Sequence, residues 1–182
     1  MVNEKILPLI IEPNPLLHQV SEIVTKVDSE IADLAEKLIA TMQHHKGLGL
    51  AAVQVGILKR VIVVDITNAG CEGDKPLSLK EGPMILINPE ITEQSDDTKT
   101  YAEGCLSFGN IYPEIERTNG VKVKYLDLDG KENFLEVSDN IMSACLQHEI
   151  DHINGIVFLD RLSRIKKEFM MKKYLKHKPR NT

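Results

Sequence analysis

Residues 138–155 read Ser-Asp-Asn-Ile-Met-Ser-Ala-Cys-Leu-Gln-His-Glu-Ile-Asp-His-Ile-Asn-Gly, and this stretch predicts the central helix of the fold. Ser138 or Asp139 can cap the start of the helix, and Asn154-Gly155 is a typical helix end. Helical spacing places four residues on one inward-facing stripe: Ile141, Cys145, His148 and His152. Because the two histidines lie one turn apart on this face, their imidazoles can bind one metal ion.

Glu149 follows the first histidine and can reach a water molecule bound to that metal. Metal, water and base together would form a hydrolytic site. Catalytic metal sites typically have three protein ligands and one open position. Downstream of the helix the chain offers only His177 and Glu168, and neither stands at a recognised protease spacing. We therefore expect the third ligand upstream of the helix.

Cys105 is the best candidate for that ligand. It lies in Glu-Gly-Cys-Leu-Ser, residues 103–107, and a thiolate is a strong ligand that metal binding deprotonates. The alternative is a small buried apolar residue, the interpretation preferred for Cys71 and Cys145. Cys71, in a polar loop, could instead be an exposed thiol. Three cysteines argue against a disulfide framework and fit a reducing cytoplasm.

The segment Gly47–Gln54 reads Gly-Leu-Gly-Leu-Ala-Ala-Val-Gln and superficially matches the dinucleotide-binding pattern G-x-G-x-x-A. That interpretation fails because a helix precedes the segment and no second βαβ unit follows it. The small residues instead indicate backbone that a ligand approaches closely. The Gln54 amide could stabilise a developing oxyanion, although glutamine after a glycine loop is more often a polar surface residue.

The apolar pattern elsewhere predicts an α+β fold in which antiparallel β-sheets pack around the central metal-binding helix. A helix is expected from the N-cap Asp28 to His45, a loop over 67–82, and a basic C-terminal helix over about 163–178. The expected strands cover residues 60–66, 84–91, 98–103, 121–128 and 131–137, with a short one near 156–158. Asp129-Gly130 predicts a hairpin. The length fits a single domain, residues 1–182.

The net charge of −5 hides an asymmetry along the chain. Residues 161–182 contain nine Lys or Arg and one acid, which gives this segment a charge of +8. An anionic partner would explain it, and so would a solvated helix face. The chain has no Trp and 4% aromatic residues, so we expect no stacking platform for DNA. No secretory signal or membrane-spanning stretch is apparent, and we expect a cytoplasmic location.

The three motifs in this order make the chain similar to the peptide deformylase family. The family patterns G-x-G-x-A-A-x-Q, E-G-C-L-S and H-E-x-x-H stand here at 47–54, 103–107 and 148–152, and the resemblance runs nearly end to end. The helical C-terminus resembles the bacterial type 1 branch. Val53 replaces a common proline, and Phe108-Gly109 replaces a usual apolar-proline pair.

The resemblance implies hydrolysis of the formyl group of N-formylmethionyl nascent peptides, with release of formate. It assigns one divalent metal ion to Cys105, His148 and His152. Fe2+ is the implied metal in cells, with Zn2+, Ni2+ or Co2+ as alternatives. Proton transfer would fall to Glu149. The Gln54 amide and the backbone N–H of Leu106 would stabilise the oxyanion.

The resemblance also assigns the residues that bind the peptide. Leu48 and Gly49 would bind the substrate backbone as an added strand. The wall of the methionine pocket is expected at Ile141, Ala144 and Cys145. A supporting ion pair is expected between Glu103 and Arg117.

The basic tail resembles the segment with which type 1 members dock on the ribosome. The lysines that could meet rRNA phosphate are Lys166, Lys167, Lys172, Lys173 and Lys176. Two other functions compete with deformylation: an H-E-x-x-H peptidase, disfavoured because it needs a downstream ligand, and an idle ribosome-binding relative. The second is disfavoured because Glu149, Cys105 and Gln54 are intact.

Overall fold

The computed structural model describes residues 5–67, 82–138 and 140–177. Within these ranges the chain forms three α-helices: α1 (Ser29–His44), α2 (Ile141–Ile153) and α3 (Arg164–His177). It also forms the strands β1 (Gly49–Ala51), β2 (Val61–Val64), β3 (Met84–Gln94), β4 (Thr98–Ala102), β5 (Glu114–Thr118), β6 (Gly120–Leu126) and β7 (Glu132–Ser138). Short 3-10 helices cover Pro15–His18, Ala52–Val55 and Phe158–Arg161. Cys71 and most of the predicted 67–82 loop lie outside the described residues.

The strands form two antiparallel sheets, which confirms the α+β class. Five strands are ordered β1-β2-β3-β6-β7, and β4 pairs with β5. The predicted hairpin joins β6 to β7. Gly130 has a φ of 72°, and its N–H donates to the Asp127 carbonyl at 3.0 Å. This positive φ explains why the turn needs glycine.

Strand β2 lies between two helices, and its apolar run follows from this position. Side chains alternate across a strand, so neighbouring residues reach opposite faces of the sheet. Val61 and Val63 pack with α1, while Ile62 and Val64 pack with α2. All four residues are buried, so the segment reads as a continuous apolar stretch without polar alternation.

Helix α1 begins where the sequence predicts. The Asp28 carboxylate accepts hydrogen bonds from the N–H groups of Glu30 and Ile31. Helix α2 begins differently, because Asn140 is its N-cap and accepts the N–H of Ser143. The predicted cap Ser138 is wrong, since Ser138 is the last residue of β7 and pairs with Gly120. Asp139 lies outside the described residues.

The predicted strand near 156–158 is also wrong. The N–H of Ile156 donates to the Asp151 carbonyl, and the N–H of Val157 donates to the Asp160 carboxylate at 3.0 Å. The backbone is therefore satisfied locally, and a 3-10 helix follows at Phe158–Arg161. None of the described helices is long and apolar enough to cross a membrane.

A third apolar cluster lies beneath α3. Phe108 stacks edge-on against Phe158 with ring centroids 5.0 Å apart, and both side chains are buried. The hydroxyl of the buried Tyr174 donates to the Glu12 carbonyl at 2.6 Å, which holds α3 against the N-terminal segment. Gly109 has a φ of 62°, a conformation that proline cannot adopt. The turn after Ser107 therefore differs from one that carries proline.

Candidate active site

Three predicted ligands meet at the inner face of α2. One donor atom each from Cys105, His148 and His152 lies within 4.8 Å of the others, and all three residues are buried. The Cys105 Sγ and His152 Nε2 atoms are 3.3 Å apart. Metal–sulfur and metal–nitrogen bonds in a tetrahedral site would place such atoms about 3.3–3.6 Å apart. The donor set therefore fits one metal ion.

The His148 ring is oriented by a buried carboxylate. Its Nδ1 lies 2.8 Å from Glu103 Oε2, which leaves Nε2 for the metal. Arg117 donates two hydrogen bonds to the Glu103 carboxylate, at 2.6 and 2.9 Å. The predicted ion pair is therefore present. Burial would raise the pKa of Glu103, but hydrogen bonds from Arg117 and His148 outweigh it and lower that pKa. A charged Glu103 in turn keeps the His148 ring in place.

His152 is more deeply buried than His148, with 1% of its surface exposed against 7%. Its Nδ1 is buried and has no hydrogen-bond partner among the described residues. Burial lowers the pKa of His152 well below its ordinary value. A neutral imidazole is the form that binds a metal, so this environment suits a ligand.

The Glu149 carboxyl group is buried beside the side chains that would bind the metal. Its Oε2 is buried and has no hydrogen-bond partner within the described part of the chain. Burial raises the pKa of Glu149 to about 7. The other side of the carboxyl lies against β1, where a Cβ added at Gly49 would come within 2.4 Å of Oε1. A carboxyl group with such a pKa can both accept and return a proton near neutrality.

Gln54 is a buried residue, against the composition-based expectation of a surface position. Its side-chain carbonyl accepts the Ala51 N–H at 2.9 Å. Its amide nitrogen donates to Cys105 Sγ at 3.5 Å and to Ser107 Oγ at 3.2 Å. The amide donor is thus held directly beside the thiol that would bind the metal.

A cavity of about 530 Å³ opens onto this cluster. It is lined by predicted residues from three segments: Leu48, Gly49, Gln54, Cys105, Leu106, Ile141, Ala144, Cys145, His148 and Glu149. Cys145 is a wall residue and not a ligand, because its Sγ points to the Leu48 carbonyl at 3.4 Å. Burial raises the pKa of this thiol well above its ordinary value, which keeps it neutral.

Several residues of the site do not follow from the sequence patterns. The lining of the cavity also includes His45, Lys46, Tyr101, Asn110 and Tyr112. Asp151, between the two histidines, is buried and contacts Arg117 at 2.5 Å. An acid that directly follows Ile150 on a buried helix is a signal for a charged partner, but sequence alone does not identify that partner.

Comparison with known proteins identifies similar sequences over nearly the whole chain. The sequence pattern of the family described as polypeptide deformylase matches residues 6–168. A peptide deformylase of Agrobacterium fabrum is 43% identical over 169 residues, which cover 93% of this chain and 94% of that protein. A peptide deformylase of Mesorhizobium japonicum is 44% identical over 169 residues, which cover 93% of this chain and 91% of that protein.

Solved structures agree as well. A crystal structure of peptide deformylase from Ehrlichia chaffeensis has a TM-score of 0.85 at 40% identity, and the match covers 94% of this chain and 96% of that chain. A crystal structure of peptide deformylase from the same organism in complex with actinonin also has a TM-score of 0.85, at 39% identity. The match covers 96% of this chain and 99% of that chain.

Proposed function

The chain belongs to the polypeptide deformylase family, and on this premise we propose a role for each side chain around its metal site. The protein is a metal-dependent hydrolase that removes the N-formyl group from the formylmethionine of newly made polypeptides and releases formate. The observation that carries the proposal is the buried cluster of Cys105, His148 and His152, with Glu149 beside it in the lining of a cavity of about 530 Å³.

Cys105, His148 and His152 would hold the metal ion. When bound, the ion supplies a Lewis acid that polarises the formyl carbonyl and lowers the pKa of water. One thiolate and two imidazoles suit Fe2+, Zn2+, Ni2+ or Co2+, and we propose Fe2+ for the protein in cells. Elemental analysis of protein purified without oxygen tests this choice, and stoichiometric zinc with no iron would reject it.

Glu149 takes a proton from the attacking water and later delivers it to the leaving amine. The support for this role is that the carboxyl group is buried and has a pKa of about 7. One group can therefore both accept the proton from water and donate it to the amine. The Gln54 amide, which lies 3.5 Å from Cys105 Sγ, and the backbone N–H of Leu106, the next residue in the chain, donate hydrogen bonds to the oxygen that gains charge.

The peptide binds along β1, with Leu48 and Gly49 as its backbone neighbours. Strand β1 pairs with β2 along one edge and lies against Glu149, so an added strand on the other side would bring its first residue to the metal site. Ala144 and Cys145 are small, and together with Ile141 they leave room in the cavity for the methionine side chain.

Formate release from formyl-Met-Ala-Ser tests the activity. We expect formate from the metal-loaded protein and none from protein stripped of metal. The peptide Ala-Met-Ala-Ser-Ala, which carries no formyl group, is the control for the rival peptidase, and it should remain intact. No formate above the metal-free sample would reject deformylation, and cleavage of the control peptide would favour the peptidase.

We further propose that the protein acts in the cytoplasm and docks on ribosomes through α3. The support is the basic charge of this helix, with exposed Lys166 and Lys172 available to phosphate. Reversing both charges should reduce salt-sensitive co-sedimentation with ribosomes, whereas reversing exposed Lys26 and Lys131 should not. Equal binding by both variants would reject the proposal.

We also infer that the chain forms a single domain. Helix α2 contacts β1 and β2 of the larger sheet and β5 of the smaller one, so both sheets share one central element. A single cooperative unfolding transition followed by two spectroscopic probes would support this inference, and two separate transitions would reject it.

A further inference from the structure

A row of charged side chains runs from the metal donors to the base of the C-terminal helix. It starts at His148, passes through Glu103, Arg117 and Asp151, and ends at Arg161, the last residue of the 3-10 helix before α3. We propose that Arg161 is a positioning residue that holds His148 in its metal-binding orientation through this row. The inference rests on the proposed metal-binding role of His148.

Each link in the row is a direct hydrogen bond. Arg117 uses Nε and Nη2 for the two oxygens of Glu103, at 2.6 and 2.9 Å, and Nη1 for Asp151 at 2.5 Å. Arg161 then binds the Asp151 carboxylate with Nε at 3.0 Å and with Nη2. Glu103, Arg117 and Asp151 are each at least nine-tenths buried, so water screens these links poorly.

Charge balance explains why Arg161 would affect the position of Arg117. Two buried carboxylates, Glu103 and Asp151, are balanced by the two arginines. Without Arg161, both carboxylates would depend on Arg117 alone, and the buried set would carry one uncompensated negative charge. Asp151 would then compete with Glu103 for the Arg117 guanidinium. Because Glu103 fixes His148 Nδ1, any movement of Arg117 passes to the imidazole ring.

The size of the effect is limited by exposure. The Arg161 side chain is 45% exposed, so water can partly replace it at Asp151. Loss of a residue that orients a metal ligand costs about 10- to 100-fold in metal affinity. For this more remote and partly exposed arginine we expect the lower end, about tenfold.

Arg161→Met removes the charge and keeps most of the aliphatic stem. The matched control is Arg164→Met, three residues on, where the arginine side chain is 91% exposed and pairs with Glu168 on the same helix. The probe is Co2+, measured by chelator competition for the dissociation constant and by visible absorption for ligand geometry. We expect Arg161→Met to weaken Co2+ binding about tenfold and to alter the spectrum, and Arg164→Met to change neither.

A second variant separates positioning from simple anchoring of α3. Arg161→Met combined with Asp151→Asn restores the charge balance but cannot restore the anchor. Recovery of Co2+ affinity and of the spectrum in this double variant supports the proposal. The proposal would be overturned if the double variant did not recover Co2+ affinity. It would also be overturned if Arg161→Met left the Co2+ dissociation constant and the absorption spectrum unchanged. Wild-type protein that binds no Co2+ would instead reject the proposed metal site itself.

Discussion

The Gly49→Ala substitution is expected to slow deformylation about 100-fold while leaving metal binding intact. Gly49 begins strand β1 and lies directly against Glu149, the group to which proton transfer is assigned. A Cβ at this position would stand 2.4 Å from Oε1, 2.7 Å from Cγ and 2.8 Å from Cδ of Glu149. Ordinary van der Waals contact begins at 3.4 Å, so the overlap with Oε1 is 1.0 Å.

The carboxyl must absorb most of that overlap. Leu50 and Ala51, which continue β1, are fully buried and paired with β2, so the strand resists movement. Glu149 is itself only 4% exposed, and its carboxyl can only move away from β1 within the cavity. A displacement of about 1 Å in a reacting group costs on the order of 100-fold in rate. The three atoms nearest to the added Cβ all belong to Glu149 and none to a metal ligand, so the metal should remain bound.

The assay is the initial rate of formate release by protein whose metal content has been measured. Gly47→Ala is the matched control, because the atoms nearest to its Cβ would be the flexible end of Leu106 at 3.0 Å and the Gly49 carbonyl oxygen at 3.3 Å, and none of the three nearest belongs to Glu149. We expect the control to lose less than about fivefold in rate, because the flexible end of the Leu106 side chain can move aside without displacing Glu149. A wild-type kcat in Gly49→Ala, or an equal loss in the control, would refute the role given to the contact with Glu149.

Three further predictions concern the same site and the core beneath it. Glu149→Gln should retain metal and lose about 10²- to 10⁴-fold in kcat, because the amide cannot accept a proton; near-normal turnover would remove Glu149 from this role. Chelation should abolish formate release and lower the melting temperature, and added divalent metal should restore both, whereas full activity in demonstrably metal-free protein would contradict the metal requirement. Phe158→Ala should cost about 3–5 kcal/mol of unfolding free energy in a denaturant titration, because Phe158 packs on both Phe108 and His148. Phe169→Ala, at a position 67% exposed, should change stability by less than about 0.5 kcal/mol, and similar losses in the two variants would contradict this account of the core.

Much of the secondary structure could be predicted because it depends on spacing along the chain. Asp28 caps α1, and the apolar run of β2 is buried on both faces, as the pattern indicates. The start of α2 was missed because the competition between Ser138 and Asn140 depends on sheet pairing. Ser138 completes the ladder with Gly120, and Asn140 caps the helix.

Three sequence motifs indicate the chemistry of the site, but the sequence does not show that the three motifs come together in the fold. Spacing of four residues puts His148 and His152 on one helix face by backbone geometry alone. That Cys105 lies 3.3 Å from His152 depends on how the loop after β4 packs against α2. Likewise, composition favours a surface position for Gln54, and only its bonds to Ala51, Cys105 and Ser107 make it a buried donor.

The sequence by itself determined the donor types, the helix that carries two of them and the acid beside the first histidine. The tertiary structure alone decided that Gly49 packs against Glu149 and that Asp151 joins Arg117 to Arg161. The physical reason is that local hydrogen bonding and periodicity are set by neighbours in the chain. Contacts between distant segments arise instead from packing around α2, and only the folded core specifies their distances.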